Sequence, residues 1–248
     1  MKPDPAQQQL VDASLAALRE LLPVERFRDP DGAGAEQARW RDLAALGWFG
    51  IGLPEAVGGA GCGLVEETLL GLEFGRFLVS PAVMAASLGA RLACAAGDAA
   101  LAQRIVSGGL ARGTFHGESG LSGEVLLAEA TDASILLCWN GDAAMLVQRA
   151  ALDPLPTPVA LDATVPLARA RAAGGGIVLA ALAAREPIGR IAELLIAAQL
   201  AGLAQEASAL GVLHARSREQ FGRPIGAFQA VAHHCANMEL RARAARAQ

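Results

Sequence analysis

The sequence predicts a mainly α-helical protein with a small β domain in the middle of the chain, in the order α, β, α. The 248 residues are 53% hydrophobic but only 4% aromatic, and most of the apolar residues are alanine and leucine, which favour helices. Apolar residues recur at helical spacing near both ends of the chain, whereas short apolar runs broken by glycine and proline occupy its middle.

Residues 1–112 are predicted to form an N-terminal domain of five short helices. The first begins at Asp4-Pro5, because aspartate is a good helix cap and proline suits the first helical position. A glycine-rich connector separates the second helix from the third. The second helix contains Trp40, the third contains Leu70, the fourth begins at Pro81, and Asp98 caps the fifth.

Residues 113–185 are predicted to form the small, mostly antiparallel β domain. Asn140-Gly141 lies between two apolar runs and is typical of a hairpin turn. The apolar runs expected to form strands are 125–128, 134–139, 144–148, 158–161 and 176–181.

Residues 186–248 are predicted to begin a helical bundle. A long helix starts at Pro187 and keeps helical spacing to about Ser217. The segment 221–224 interrupts it, and a last amphipathic helix runs from about Phe228. Two helices of this kind leave apolar faces in water, so we expect a further part of the chain or a partner subunit to cover them.

Charge and hydropathy argue against several classes of partner. The 21 basic and 25 acidic side chains give a formal net charge of −4, and no basic stripe indicates nucleic-acid binding. No uninterrupted apolar stretch reaches the ~18 residues of a membrane span, and the N-terminus lacks a secretory pattern. The four scattered cysteines are expected to be buried thiols. The sequence thus predicts a cytoplasmic protein without nucleic-acid or membrane partners.

Two apparent motifs lack the surroundings that their chemistry needs. The glycines between residues 58 and 63 follow no predicted strand, and Lys2 is the only lysine, so a phosphate-binding loop is not expected there. An ordinary loop between helices is the prediction. His233 and His234 are adjacent and point to different parts of a helix surface, so no metal site is expected.

An arginine-rich corner lies between the last two predicted helices. Such a group can hold an anionic, planar ligand, with guanidinium groups on a phosphate and aromatic rings against a ring system. It can equally be a corner that closes a helical hairpin, and residue chemistry alone leaves both interpretations open. The residues are Arg216, Arg218, Phe221, Arg223, Phe228 and Gln229.

The segment 218–229 resembles the signature RxxFGxPIxxFQ of the acyl-CoA dehydrogenase family and matches it at every fixed position. Segments 40–59, 66–76 and 197–207 resemble helices of the same family in the same order. The chain is therefore identified as a member of that family with a shortened middle β domain. The resemblance implies a helical N-terminal domain, a reduced β domain and the start of a C-terminal helical bundle.

This resemblance implies an FAD-dependent flavoprotein that oxidises the α,β bond of an acyl-CoA thioester. In such a reaction a glutamate base removes the α-proton, and the flavin accepts the β-hydride. The positions that contact FAD in the family correspond here to Arg218, Gln220, Phe221 and Gln229. Because the FAD they contact belongs to a neighbouring subunit, the chain is expected to form a homo- or hetero-oligomer with another acyl-CoA dehydrogenase-like chain.

Departures from the family pattern leave the chain's own catalysis open. Members carry a T-E-P-x-x-G-S-D run at the start of the β domain, to which only Glu118 and Gly120 correspond. One family position of the base is Ala192 here, and Glu193 stands where many members have a substrate-contacting arginine. No catalytic residue is therefore assigned within the 248 residues. The alternatives are a non-catalytic partner that completes the flavin site of a sister chain, and a flavin-free helical interaction module.

Overall fold

The computed structural model describes residues 3–28, 38–109, 114–116, 124–128, 134–140, 143–156, 160, 162, 164–172, 178–183 and 187–247. Within them, helices precede and follow a β-sheet, so the predicted order α, β, α is confirmed. The N-terminal helices are Pro5–Leu21 (α1), Trp40–Ala45 (α2), Leu64–Arg76 (α3), Pro81–Ala95 (α4) and Ala99–Val106 (α5).

Two helices begin where the sequence predicts, because an aspartate satisfies the free backbone N–H groups of the first turn. The Gln7 amide donates to the Asp4 carboxylate at 2.8 Å, and the Gln7 side chain accepts from the Asp4 amide at 3.0 Å. The Leu101 amide likewise donates to Asp98 at 2.9 Å. These caps fix the starts of α1 and α5.

The middle of the chain forms a seven-stranded sheet in the order β5-β6-β2-β1-β3-β4-β7. Neighbouring strands are antiparallel except β1 and β3, which are parallel. The strands are Thr114–His116 (β1), Glu124–Ala128 (β2), Ile135–Asn140 (β3), Ala143–Gln148 (β4), Leu152–Leu155 (β5), Leu167–Ala172 (β6) and Val178–Ala183 (β7).

Four of the predicted strand runs coincide with β2, β3, β4 and β7, and β3 pairs with β4 as the hairpin signal predicts. The sequence analysis missed β1, β5 and β6. Most of the predicted run 158–161 lies outside the described residues, and residue 160 is irregular.

The sheet joins the helical core because its side chains alternate between two faces. Leu137 of β3 and Leu146 of β4 pack within the helical cluster, where Leu146 approaches Gly89 of α4. On the other face, Leu136, Cys138 and Val147 belong to a separate cluster. Residues of α4 thus attach the sheet to the helices.

The chain continues after the sheet as two helices, Pro187–Ser217 (α6) and Gln229–Ala247 (α7). A hairpin of two short strands, Glu219–Gln220 (β8) and Arg223–Pro224 (β9), connects them. The predicted start and end of the long helix are confirmed, but the interruption at 221–224 is an ordered hairpin rather than a simple break.

Helices α3 and α6 pack closely because a glycine on each helix faces the backbone of the other. A Cβ at Gly75 would lie 1.9 Å from the Gln199 carbonyl oxygen, and one at Gly202 would lie 1.9 Å from the Leu72 carbonyl oxygen. No side chain fits in either gap. This contact fixes α6 against the N-terminal helices.

One helix has the length and composition of a membrane span although charged residues interrupt it, and the expectation that all four cysteines are buried is wrong. The helical stretch Ile188–Ser217 could cross a membrane by its length and composition alone. A core helix of a soluble protein passes the same test, and α6 packs on α3 through Leu195 and Ala198. Of the four cysteines, Cys138 is buried, whereas the other three are half-buried because they lie near helix surfaces or loops.

Candidate functional site

The arginine-rich corner forms an ordered arm, residues 216–229, between α6 and α7. The Arg218 amide donates to the His214 carbonyl at 2.9 Å, and the Ile225 amide donates to the Arg218 carbonyl at 2.8 Å. The tip residues Phe221 and Gly222 have φ angles of 54° and 75°. Two successive left-handed residues are typical of a tight hairpin turn, which pushes the Phe221 side chain outward.

Aromatic contacts hold the base of this arm. The Phe221 and Phe228 rings meet edge to face, with centroids 6.0 Å apart. The Arg223 guanidinium carbon lies 4.2 Å from the centroid of the Phe228 ring, a cation–π contact. Phe228 is half-buried, whereas Phe221 is 91% exposed. Phe228 therefore supports the arm, and Phe221 is presented to whatever lies beyond it.

The four residues that the sequence analysis assigned to FAD all lie on this arm and are exposed. The Gln220 side-chain Nε2 donates to the Glu219 carbonyl at 2.8 Å. Among the described residues, Arg218 and Gln229 have no side-chain hydrogen bond or ion pair. Their donors are therefore available to a ligand or to another chain. The four residues are Arg218, Gln220, Phe221 and Gln229.

The family position of the catalytic base that falls on α6 carries no carboxylate. Ala192 is 7% exposed and packs in the helical core, whereas Glu193 is exposed. Adjacent helical residues point about 100° apart, which accounts for this difference. Glu193 makes no ion pair with Arg190 within the described residues. Glu118 and Gly120 lie outside the described residues.

The structure also reveals a partly buried ion pair that the sequence analysis missed. The Glu67 carboxylate of α3 pairs with the Arg91 guanidinium of α4, and its side chain is 2% exposed. Burial raises the pKa of Glu67, although the positive charge of Arg91 opposes that shift. The two residues are 24 positions apart on different helices, and no local pattern in the sequence predicts such a pairing.

An apolar stripe runs along the exposed side of α6. Its large residues are three, four or seven positions apart, which places them on one side of the helix. Leu200 is 59% exposed and Leu213 is 62% exposed, values that are unusual for leucines repeated along one stripe. The stripe consists of Ile196, Leu200, Leu203, Leu210 and Leu213.

Comparison with known proteins gives two family matches that bracket the sheet. The family profile described as Acyl-CoA dehydrogenase, N-terminal domain, matches residues 4–114. The profile described as Acyl-CoA dehydrogenase, C-terminal domain, matches residues 191–248, which include the arm.

Two curated proteins of Mycobacterium tuberculosis are similar over most of the chain. Acyl-CoA dehydrogenase IpdE2 is 32% identical over 244 residues, which cover 95% of this chain and 69% of IpdE2. Acyl-CoA dehydrogenase FadE34 is 32% identical over 239 residues, which cover 93% of this chain but 33% of FadE34. The chain thus spans about a third of one relative and about two thirds of the other.

Solved structures share the fold over nearly the whole chain. A variant of the Tcur3481-Tcur3483 steroid ACAD has a TM-score of 0.72 at 25% identity, covering 98% of this chain and 75% of that one. The ChsE4-ChsE5 complex from Mycobacterium tuberculosis has a TM-score of 0.77 at 19% identity, with the same coverage. The FAD complex of PigA has a TM-score of 0.77 at 16% identity, covering 99% and 77%. From its sequence, its fold and these matches, the chain belongs to the acyl-CoA dehydrogenase family.

Proposed function

We propose that the chain is an FAD-binding subunit of an acyl-CoA dehydrogenase that removes hydrogen from the α,β bond of an acyl-CoA thioester. The observation that carries this proposal is the exposed arm, on which the complete family signature presents unpaired donors and an exposed aromatic ring. Members of the family bind FAD, and the chemistry of the arm suits that cofactor.

The residues of the arm fit one edge of FAD. A guanidinium such as that of Arg218 can bind a pyrophosphate through charge-assisted hydrogen bonds. The Gln229 amide can donate to a further phosphate or ring oxygen, and the Phe221 ring offers an apolar face. Because all three side chains are exposed, they cannot enclose a ligand by themselves. We therefore infer that they contact FAD held mainly by a neighbouring chain.

When bound, FAD would supply the acceptor for the substrate hydride. The residues of this chain would then position the cofactor. Arg218 would neutralise phosphate charge, and Phe221 would shield one side of FAD from water. The base that removes the α-proton must reach the substrate α-carbon, and Ala192 has no group that can do so. We infer that this carboxylate lies on a neighbouring chain or outside the described residues.

A second candidate function is that of a non-catalytic partner subunit. The described chain presents FAD-binding groups outward but lacks a carboxylate at Ala192, which favours a role in completing the site of a sister chain. The ChsE4-ChsE5 complex and the Tcur3481-Tcur3483 protein are each named for two different chains. We propose by analogy that this chain also assembles with a different acyl-CoA dehydrogenase-like chain.

Purified protein distinguishes these candidates. The chain is prepared alone and together with a family partner that co-purifies from the native host, and FAD content and acyl-CoA-dependent flavin bleaching are measured in both samples. FAD and bleaching in the chain alone support the catalytic subunit. FAD and bleaching only in the mixture support the partner subunit. Absence of FAD from both samples would contradict both candidates.

The role of Glu193 is tested in the same assay. The Glu193→Gln variant is expected to bleach at the wild-type rate, because this side chain is exposed and points about 100° away from Ala192 around the helix. Loss of bleaching with retained FAD would show that α6 of this chain supplies the base.

A further inference from the structure

The tip of the arm holds a phenylalanine in an unfavourable backbone conformation. Phe221 has a φ angle of 54°, which lies in the left-handed region that bulky residues rarely adopt. Its side chain is 91% exposed, so burial of the ring does not offset the cost of this conformation. A strained residue persists only where neighbouring contacts hold it, and such residues are concentrated at binding and catalytic sites. The contacts that hold Phe221 therefore bear on ligand binding.

Phe228 gives the tip a fixed ring to rest against. Its amide donates to the Ile225 carbonyl at 3.1 Å, and its carbonyl accepts from the Ala232 amide at 3.0 Å. The turn before it packs tightly on α6, because a Cβ at Gly226 would lie 2.9 Å from the Ala215 carbonyl oxygen. The half-buried Phe228 ring therefore keeps its place relative to both α6 and α7.

The strained tip contacts this ring directly. The Phe221 and Phe228 rings have centroids 6.0 Å apart and planes inclined at 85°. This edge-to-face geometry is one of the two arrangements that aromatic pairs prefer, because the positive edge of one ring meets the negative face of the other. The position of Phe221 thus depends on how firmly the hairpin stays on the Phe228 ring.

Arg223 provides the second contact between the hairpin and this ring. It lies opposite Gln220 on the strand that returns from the tip, and its guanidinium carbon is 4.2 Å from the centroid of the Phe228 ring. Among the described residues its side chain makes no hydrogen bond or ion pair. A guanidinium over a ring face is attracted by the negative charge of that face. Arg223 therefore ties the hairpin to Phe228 without using its hydrogen-bond donors.

We propose that Arg223 is a positioning residue that acts through Phe228 and keeps Phe221 in the conformation that meets FAD. The inference rests on the proposed function, because it takes FAD held by a neighbouring chain as the ligand of the arm. Arg223 then sets the fraction of arms that are ready to bind the cofactor. The apparent dissociation constant is the intrinsic constant divided by this fraction. A loosened hairpin therefore weakens binding although no contact with FAD is lost.

The test measures how fast the assembled protein, freed of its cofactor, binds and releases FAD, by stopped flow with flavin fluorescence. Arg223→Met keeps a long side chain but removes the charge and the planar group. An exposed cation–π contact is modest, so the dissociation constant of FAD is expected to rise about two- to fivefold. Fewer arms are then ready at any moment, so the association rate constant should fall while the dissociation rate constant stays unchanged. Arg190→Met, at an exposed position on α6, is the control and should alter neither rate constant.

A double-mutant cycle shows whether Arg223 acts through Phe228. Phe228→Leu removes the ring but keeps an apolar side chain, and it is expected to weaken FAD binding by itself. Adding Arg223→Met to Phe228→Leu should cause no further loss, because the guanidinium no longer has a ring face to cover. Arg223→Lys should recover part of the affinity lost in Arg223→Met, since an ammonium group is also attracted to a ring face.

The outcomes separate this inference from the proposed function. Unchanged FAD affinity in Arg223→Met would overturn the inference and leave the proposed function standing. A faster dissociation of FAD, or an equal loss in the Phe228→Leu background, would show that Arg223 contacts FAD itself and would also overturn the positioning role. A wild-type assembly that binds no FAD would overturn both.

Discussion

At the scale of single residues, burial of the Glu67 carboxylate lowers the stability of the fold. Its side chain lies under the loop after α2, where a Cβ at Gly52 would collide with its Oε1 atom. Removing two charges from water is costly even when they pair, because their attraction only partly offsets the lost hydration. The pair also leaves the Glu67 Oε2 and Arg91 Nε atoms buried without hydrogen-bond partners among the described residues. Such a pair is expected to lower the stability of the fold rather than raise it.

The dependence of stability on pH tests this view of Glu67. Because the pKa of Glu67 is raised in the folded protein, the folded state holds this proton more tightly than the unfolded state. The stabilising contribution is therefore present below the unfolded pKa of about 4.3 and is lost as pH rises through the folded pKa.

We expect the double variant Glu67→Leu/Arg91→Leu to gain stability over the wild type as pH rises from 4, and then to level off. At neutral pH its free energy of unfolding should exceed that of the wild type by about 1–4 kcal/mol. Urea unfolding of both proteins between pH 4 and pH 7 measures the difference. A difference in unfolding free energy that does not change with pH would contradict a raised pKa of Glu67 in the folded protein.

At the scale of elements, the sequence predicts the helices better than the strands. Asp4 and Asp98 make the hydrogen bonds expected of caps. Strand β6 was missed because its sequence, LARARA, contains alanine and arginine, which have little preference for strands. Strand β5 contains Pro154 and lies at the edge of the sheet, where a proline does not interrupt a ladder of hydrogen bonds.

The candidate site was predictable only where its residues are close in sequence. The arm is one continuous segment, and twelve of its residues, 218–229, match a signature that could identify it. The Glu67–Arg91 pair joins two different helices, and only the packing of those helices brings its two residues together. Even within the arm, the two left-handed residues at the tip were not predicted, because Phe221 is not a residue that usually adopts that conformation.

The close contact between α3 and α6 gives a prediction at the same scale. We expect Gly202→Ala to lower the free energy of unfolding, because the new methyl group would lie 1.9 Å from the Leu72 carbonyl oxygen. Overpacking of this kind costs about 1–3 kcal/mol or more, which exceeds the gain of ~1 kcal/mol from the better helix propensity of alanine.

Gly211 on the same helix is the matched control. A Cβ there would meet only the end of the flexible Met238 side chain, so Gly211→Ala should be neutral or stabilising. Chemical unfolding of the two variants measures both effects. Equal stability of Gly202→Ala and Gly211→Ala would contradict this prediction, because α3 and α6 would then move apart without a cost in free energy.

At the scale of the whole molecule, the exposed stripe on α6 predicts an assembly. Leucines at positions 200, 203, 210 and 213 form one apolar face, and the end of the same helix leads into the exposed arm. A partner that packs on α6 therefore reaches the arm as well. Assembly and cofactor binding would then depend on the same surface.

We expect the wild-type protein to be an oligomer at micromolar concentration and Leu210→Arg to shift it towards monomer. The substitution places a charge in the stripe without disturbing the core, because Leu210 is 55% exposed. Leu126→Arg, at an exposed position on β2, serves as the control and should leave the oligomer intact. Sedimentation velocity measures both. A wild-type protein that stays monomeric would contradict this prediction.

The most direct test of the account is the affinity of the assembled protein for FAD in the Arg218→Ala variant. Arg218 is exposed and unpaired within the described residues, so its loss should leave folding unchanged. Arg190→Ala removes the same charge about 40 Å away along α6 and is the control. The dissociation constant of FAD should rise about tenfold or more in Arg218→Ala and stay at the wild-type value in Arg190→Ala. Unchanged FAD affinity in Arg218→Ala would contradict the claim that this arm holds the cofactor.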